Sequence, residues 1–175
     1  RGARKLIPGQ SAQDVAQHFA IVLDDELIST PYIDFIQNPN GIDASNVARS
    51  DQPTGRALIV VDARGENSIV VVPGANSQVA LRRGLPPSRV VLAQLEIPIA
   101  TVIAAFTAAR EAGALTVLNP APAAPLPDEL LDELLANCNV VVPNESELRL
   151  LGGVDELVRR CGSAALVVTR GGDGV

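Results

Sequence analysis

From residue 89 onward, short apolar runs alternate with longer segments whose apolar residues recur three or four positions apart. The short runs predict four β-strands, at 89–95, 114–119, 139–144 and 164–169. The segments between and after them predict helices, at 98–113, 126–137, 145–153 and 154–162. Strands that alternate with helices at such short intervals need crossover connections. The pattern therefore predicts an α/β fold with a mainly parallel sheet flanked by helices.

The pattern before residue 89 is different. Two β-branched runs at 57–61 and 68–72 are joined by a polar loop that contains Gly65. This arrangement is typical of a β-hairpin with a loop longer than two residues, and we expect it to be an appendage to the α/β sheet. Residues 1–40 are the least regular, although residues 11–29 indicate a helix that runs into a short strand at 19–23.

Composition agrees with this picture. The chain has 175 residues, of which 47% are hydrophobic and only 2% aromatic. The core must therefore be built from Val, Leu, Ile and Ala, as in parallel sheets that are covered on both faces. The formal net charge of −6 argues against nucleic-acid binding, and it leaves room for a local site that binds a phosphorylated ligand.

Two further features concern the compartment. Cys138 and Cys161 lack metal-binding or redox spacing, so we expect two core thiols in a reducing compartment. No apolar run reaches the length of a membrane-spanning helix. We therefore expect a soluble cytoplasmic protein that makes no contact with a membrane.

Polar and turn-forming residues follow each of the four predicted strands. They are Glu96, the segment 119–122, the pair Asn144 and Glu147, and the segment 169–174. Ligands of open α/β sheets bind beyond the carboxyl ends of the strands, so these positions are candidate site residues. Each has a purely structural alternative. Glu96 can be a first-turn carboxylate, Asn119 a turn residue and the glycines of 171–174 an ordinary turn, while Asn144 and Glu147 have the spacing of a capping box.

Taken together, carboxylates, an amide and a glycine-rich turn on successive strand ends suit a phosphorylated ligand with a divalent cation. Mg²⁺ prefers oxygen ligands and usually keeps several waters, so Glu147 could bind it through a water shell. Asn144 could donate a hydrogen bond to a phosphate oxygen. The turn "RGGDG" has neither the P-loop pattern nor GxGxxG.

The segments "GIDASNV", "TGRALIVVDARGENSIVVVPGAN", "LAQLEIP", "LNPAPA", "VVPNESE" and "VVTRGGDG" resemble the ribokinase-like (phosphofructokinase-B) carbohydrate kinase superfamily, and within it the ribokinase branch. The resemblance runs from about residue 41 to residue 175. It implies transfer of the γ-phosphoryl group of ATP to the 5-hydroxyl of D-ribose. It also implies a lid, and a possible homodimer contact, for the hairpin at about 57–72.

The resemblance assigns roles residue by residue. Glu96 corresponds to a sugar-binding glutamate, Asn144 to an ATP-contacting asparagine, and Glu147 to the glutamate of an NxxE motif associated with Mg²⁺. The loop that wraps the nucleotide corresponds to Thr169, Arg170, Gly171, Gly172, Asp173 and Gly174. A monovalent cation, K⁺, is expected for the family.

The chain departs from the family pattern at both ends. The catalytic-base aspartate lies in a "DTxGAGD" motif that would follow residue 175, as would the K⁺ site. The "GGKGxNQA" segment and the first strand with its aspartate have no clear match within residues 1–40. We therefore expect a fragment, with a poorly matched segment 1–40 and an incomplete ribokinase-like domain at 41–175. The alternatives are a catalytically inactive remnant of the fold and a nucleotide- or sugar-binding module.

Overall fold

The structure is a computed structural model that describes residues 16–23, 26–29, 32–34, 50–62, 67–82 and 84–175. The chain divides into two compact units, Arg1–Ala75 and Asn76–Val175. The division at residue 40 that the sequence suggests stays a prediction. The predicted hairpin loop at 63–66 lies outside the described residues.

The first unit contains a sheet of five strands: β1 (Ala16–Leu23), β2 (Glu26–Ser29), β3 (Tyr32–Asp34), β4 (Arg56–Val61) and β5 (Asn67–Val72). β1 pairs in antiparallel fashion with β2 and β3, and in parallel fashion with β4. The predicted hairpin is confirmed, because β4 and β5 pair antiparallel. The predicted helix before residue 19 is wrong at residues 16–18, which belong to β1, while its part at 11–15 lies outside the described residues.

The hairpin presents an apolar face to solvent. Leu58 lies opposite Val70 and Val60 opposite Ser68, so these side chains share one side of the ribbon. Leu58, Val60 and Val70 are 51%, 50% and 60% exposed. β-branched and leucine side chains favour this pairing through cross-strand contacts, yet half of their surface remains open.

The second unit is built from alternating strands and helices. Its elements are β6 (Val90–Ala93), α1 (Ile99–Glu111), β7 (Leu115–Leu118), α2 (Asp128–Ala136), β8 (Val140–Val141), α3 (Glu145–Leu150), α4 (Gly153–Cys161) and β9 (Ala165–Leu166). The strands lie in the order β6-β7-β8-β9 and every neighbouring pair is parallel. The predicted α/β fold with a parallel sheet flanked by helices is confirmed, although the strands are shorter than the apolar runs.

The core of this unit lies between the sheet and its helices. Phe106 of α1, Leu135 of α2 and Leu157 of α4 are fully buried in one cluster with Leu118 and Val141 of the sheet. On the other side of the sheet the strands expose a second set of apolar side chains, Val90, Leu92 and Leu115. The sequence predicted that both faces of the sheet are covered. In the described part of the unit, helices cover one face, and the other face is exposed.

An ion-pair cluster joins α2 to α4. The Arg160 guanidinium contacts Asp128 at 2.6 Å and Asp132 at 2.8 Å on α2, and Glu156 at 2.6 Å one turn earlier on α4. Hydrogen bonds from Arg159 and Arg160 lower the pKa of Glu156 to about 2. Because Arg160 is itself largely buried, the cluster fixes the relative position of two helices distant in sequence.

Both cysteines are buried and unpaired, as predicted. Burial raises the pKa of the Cys138 thiol to about 12, and the electrostatic effect of the neighbouring Cys161 is a smaller cause in the same direction. Burial also raises the pKa of Cys161. Burial therefore favours the protonated thiol in both core residues. No helix among the described residues is long and apolar enough to cross a bilayer.

Candidate active site

The carboxyl ends of β6, β7, β8 and β9 lie along one side of the second unit, because all four strands are parallel. We call this side the carboxyl edge and define it as residues 94–96, 119–122, 142–147 and 167–174. Backbone hydrogen bonds continue beyond the strands here: the Asn119 amide donates to the Ala93 carbonyl at 3.0 Å, and the Thr169 amide to the Pro143 carbonyl at 2.9 Å. The edge is therefore a continuation of the sheet and not a set of loose loops.

Asn144 and Glu147 form the capping box that their spacing indicated. The Asn144 side-chain oxygen accepts hydrogen bonds from the amides of Ser146 and Glu147, at 2.9 and 2.8 Å. Both carboxylate oxygens of Glu147 accept hydrogen bonds from Asn144 in turn. Oε2 accepts from the Asn144 amide at 2.8 Å, and Oε1 accepts from the Asn144 side-chain nitrogen at 2.9 Å. The structural alternative is thus correct for this pair, and the ligand roles stay predictions alongside it.

Glu147 is also suited to a cation held through water. Both carboxylate oxygens already accept one hydrogen bond, so each has one lone pair left for a further donor or a metal. Within the described part of the chain, no three His, Cys, Asp or Glu side chains come together as metal ligands. Mg²⁺ commonly uses one or two carboxylates and keeps its waters, so the residues present fit a hydrated Mg²⁺ better than a directly caged one.

The loop after β9 is tied to the capping box. Thr169 forms a parallel bridge with Asn144, and the Arg170 amide donates to the Gly174 carbonyl at 2.7 Å, which closes the loop into a turn. Gly171 and Gly174 have φ of +58° and +89°, a backbone conformation that favours glycine. A Cβ added at either glycine would meet nothing within 4 Å, so the space beside the turn is open.

Arg170 adds a contact that the sequence did not indicate. Its guanidinium lies 3.7 Å from the Glu145 carboxylate, and both side chains are more than half exposed. The pair connects the loop after β9 to the first turn of α3. Its strength is small because solvent screens both charges.

Glu96 lies apart from these residues. It follows β6 and is exposed, and it makes no hydrogen bond or ion pair with the residues that the structure describes. β6 and β8 are separated by β7, so Glu96 and Asn144 follow strands roughly 10 Å apart. The structure thus brings together Asn144, Glu147, Thr169 and Arg170, and leaves Glu96 at the other side of the same edge.

Asn119, after β7, lies between these two groups. Its side-chain oxygen Oδ1 is buried and has no hydrogen-bond partner among the described residues. The sequence placed Asn119 at a strand end before a proline, where a turn residue was an equally good explanation. The unpaired oxygen is a tertiary feature that no local pattern indicates.

A family model for the pfkB family carbohydrate kinases matches residues 33–175. The chain belongs to the pfkB family of carbohydrate kinases. The match includes the whole carboxyl edge, so the strand-end residues described above lie in a sugar-kinase fold. Among curated relatives, the bifunctional ribokinase/ribose-5-phosphate isomerase A of Fructilactobacillus sanfranciscensis is 44% identical over 62% of this chain and 21% of that protein.

Two further relatives carry the ribokinase name. The ribokinase of Staphylococcus aureus is 41% identical over 65% of this chain and 38% of its own length. A crystal structure of ribokinase from Cryptococcus neoformans in complex with ADP is similar at a TM-score of 0.53 and 28% identity, over 70% of this chain and 46% of that one. This pfkB chain therefore spans between 21% and 46% of the length of these three relatives.

Proposed function

We propose that the chain forms part of a ribokinase-type enzyme, which transfers the γ-phosphoryl group of ATP to the 5-hydroxyl of D-ribose. The observation that carries the proposal is the carboxyl edge. There, residues that correspond to sugar, nucleotide and metal contacts of ribokinases follow three strands of one parallel sheet. The relatives named ribokinase, at 41% and 39% identity, support the ribose branch.

Each residue has a chemical role in this proposal. Glu96 is exposed and free to accept hydrogen bonds from sugar hydroxyls. Asn144 contacts ATP, and Thr169, Arg170 and the glycine turn 171–174 surround the nucleotide. The open space beside Gly171 and Gly174 lets a ligand approach the backbone of the turn closely.

Glu147 would hold the divalent cation while its carboxylate still caps α3. When bound, Mg²⁺ supplies positive charge that neutralises the phosphate oxygens during transfer. The capping box keeps Glu147 in one orientation, so the carboxylate is preorganised before a ligand arrives. We assign none of the described residues to the K⁺ that the family resemblance implies.

A second copy of the chain is the partner that we propose for the hairpin. Leu58, Val60 and Val70 form a half-exposed apolar face on one side of β4 and β5. Exposed apolar patches of this kind commonly mark interfaces between proteins. Sedimentation equilibrium of the Val70→Lys variant tests this proposal: a dimer that persists in the variant would contradict it.

Coupled measurement of ADP release, with D-ribose and MgATP, tests the proposed reaction. Ribose-dependent ADP formation that falls strongly in Glu96→Gln supports a sugar kinase with Glu96 at the sugar. Binding of ribose or nucleotide by calorimetry without turnover would instead favour the two alternatives, a catalytically inactive remnant and a binding module. Deoxyribose belongs in the same acceptor series, because one relative at 34% identity is a deoxyribokinase.

A further inference from the structure

The carboxyl edge contains one buried polar atom that the described structure leaves unpaired, Oδ1 of Asn119. A buried carbonyl oxygen without a donor has lost its hydrogen bonds to water and has gained no hydrogen bond within the protein. Such atoms are uncommon in folded proteins, and each one calls for a specific explanation. At a strand end where ligands bind, a missing ligand contact is a natural explanation.

The backbone around Asn119 is held firmly. Its amide donates to the Ala93 carbonyl at 3.0 Å, and its carbonyl accepts from the Ala121 amide at 2.8 Å. The Ala121 carbonyl in turn accepts from the Leu95 amide at 2.9 Å, and Pro120 is fully buried. The backbone of Asn119 is thus fully hydrogen-bonded, whereas its side-chain oxygen is not. A rigid backbone of this kind suits a residue that binds a ligand.

Asn139 shows what the same side chain looks like when its role is structural. It lies on the same sheet, at the amino end of β8. Its Oδ1 accepts a hydrogen bond from the Thr116 amide at 2.9 Å and lies 3.0 Å from the Thr116 hydroxyl oxygen. The unpaired oxygen of Asn119 is thus not a general property of asparagines in this sheet.

The chemistry of the Asn119 oxygen indicates which ligand group would complete it. An oxygen acceptor needs a donor, and the phosphate oxygens of a nucleotide supply none at neutral pH. Sugar hydroxyls do supply one. β7 lies between β6, which ends at the proposed sugar contact Glu96, and β8, which ends at the proposed nucleotide contact Asn144. The need of Oδ1 for a donor, more than its position, therefore favours a sugar hydroxyl over a phosphate.

We infer that Asn119 is a sugar-contacting residue whose Oδ1 accepts a hydrogen bond from a hydroxyl of the acceptor sugar. This inference rests on the proposed kinase function. Because the oxygen is buried, the carboxamide has to turn about its terminal torsion to meet the sugar, and this torsion is soft in asparagine. In the unliganded protein the unpaired buried oxygen is energetically unfavourable, and a hydrogen bond from the sugar removes this unfavourable term.

The Asn119→Leu variant tests the inference, with Asn139→Leu as the matched control. Leucine has a similar volume and no polar atom. Without ligand, Asn119→Leu should melt at or above the temperature of the wild type, because an unpaired buried acceptor has been removed. Asn139→Leu should melt lower, because it leaves the Thr116 amide without its acceptor.

Calorimetric titration then separates the two ligands. For Asn119→Leu we expect a Kd for D-ribose at least about tenfold weaker than that of the wild type, and a Kd for a non-hydrolysable MgATP analogue within about twofold. Asn139→Leu, where it remains folded, should bind D-ribose within about twofold of the wild type.

Three outcomes would overturn the inference while leaving the proposed function standing. The first is an Asn119→Leu melting temperature lowered as far as that of Asn139→Leu. The second is an unchanged D-ribose Kd, and the third is an equal loss of sugar and nucleotide binding. If the wild-type protein that contains this chain binds neither D-ribose nor the nucleotide analogue, the proposed function fails and the inference falls with it.

Discussion

At the amino ends of β7 and β8 the buried polar side chains satisfy one another, whereas at the carboxyl ends of β6 and β7 two polar side chains have no partner among the described residues. The fully buried Thr116 hydroxyl donates to the Asn137 carbonyl at 2.7 Å, and the Asn139 amide donates to it at 3.0 Å. At the opposite edge, the Asn119 oxygen is unpaired and Glu96 makes no polar contact with described residues. Asparagine thus completes a hydrogen-bond network at the amino end and keeps an unpaired oxygen after β7 at the carboxyl end, next to the complete capping box of Asn144 and Glu147.

The difference shows how a parallel sheet can separate stability from ligand binding. Hydrogen bonds between buried groups at the amino end specify the register of β7 and β8. Groups left incomplete at the carboxyl end contribute little to folding and are available to a ligand. Loss of a buried hydrogen-bonding group at the amino end should therefore mainly lower stability, whereas loss of an incomplete polar group at the carboxyl end should mainly weaken ligand binding.

The largest effect is expected at the amino end. Thr116→Val keeps the shape of the side chain but removes a buried hydroxyl that serves the Asn137 carbonyl and the Asn139 amide. We expect the free energy of unfolding to fall by about 2 kcal/mol, measured by urea denaturation. Thr101→Val is the control, because the Thr101 hydroxyl donates to the Val79 carbonyl at an exposed position. Equal losses in the two variants would contradict a special role for the amino end.

A smaller effect is expected in the loop after β9. Gly171→Ala places a Cβ on a backbone with φ of +58°, and we expect the free energy of unfolding to fall by about 1 kcal/mol. Gly172→Ala is the matched control, since no positive φ is found there and an added Cβ meets nothing within 4 Å. The same denaturation experiment compares them, and equal stability of both variants would show that the turn relaxes.

Glu147→Gln should change stability little and function more. Glutamine is also accepted at this position of a capping box, so we expect a change in the free energy of unfolding below about 0.5 kcal/mol. Under the proposed function, the Mg²⁺ concentration needed for half-maximal ADP release should rise, because the carboxylate charge is lost. Glu145→Gln is the neighbouring control, since Glu145 pairs only loosely with Arg170. Unchanged Mg²⁺ dependence would leave Glu147 with the capping role alone.

The smallest effect concerns neither edge, and it provides a baseline for both. Hydrogen bonds from Arg159 and Arg160 lower the pKa of Glu156 from 4.5 to about 2. A carboxyl group whose folded pKa is lowered contributes stability above pH 4.5 and loses it as the pH falls towards 2. The melting temperature of Glu156→Gln should therefore lie below that of the wild type at pH 7 and meet it near pH 2. A gap that stays constant across that range would show that the ion pairs contribute nothing.

Much of the second unit could be predicted from the sequence because its elements have local causes. Apolar spacing set the helices, and proline and glycine set the limits of α1. The capping box followed from the three-residue spacing of Asn144 and Glu147. Those signals act within a few residues, so they can be recognised without tertiary information.

The features that could not be predicted depend on contacts between distant segments. Residues 16–18 belong to a strand because they pair with β3, and such pairing overrides local helical spacing. The Arg170–Glu145 contact joins two different strand ends. The unpaired oxygen of Asn119 depends on what surrounds it in three dimensions, and this cannot be inferred from the motif "NPAP".

The ladder between β8 and β9 offers a way to observe the edge directly. The amides of Ala165, Val167 and Thr169 donate in turn to the carbonyls of Asn139, Val141 and Pro143. The last of these rungs joins the capping box to the proposed nucleotide loop. The exchange rate of the single Thr169 amide proton, followed by NMR, therefore serves as a gauge of whether that loop is docked. A ligand that orders the loop should slow the exchange at Thr169 far more than at Ala165.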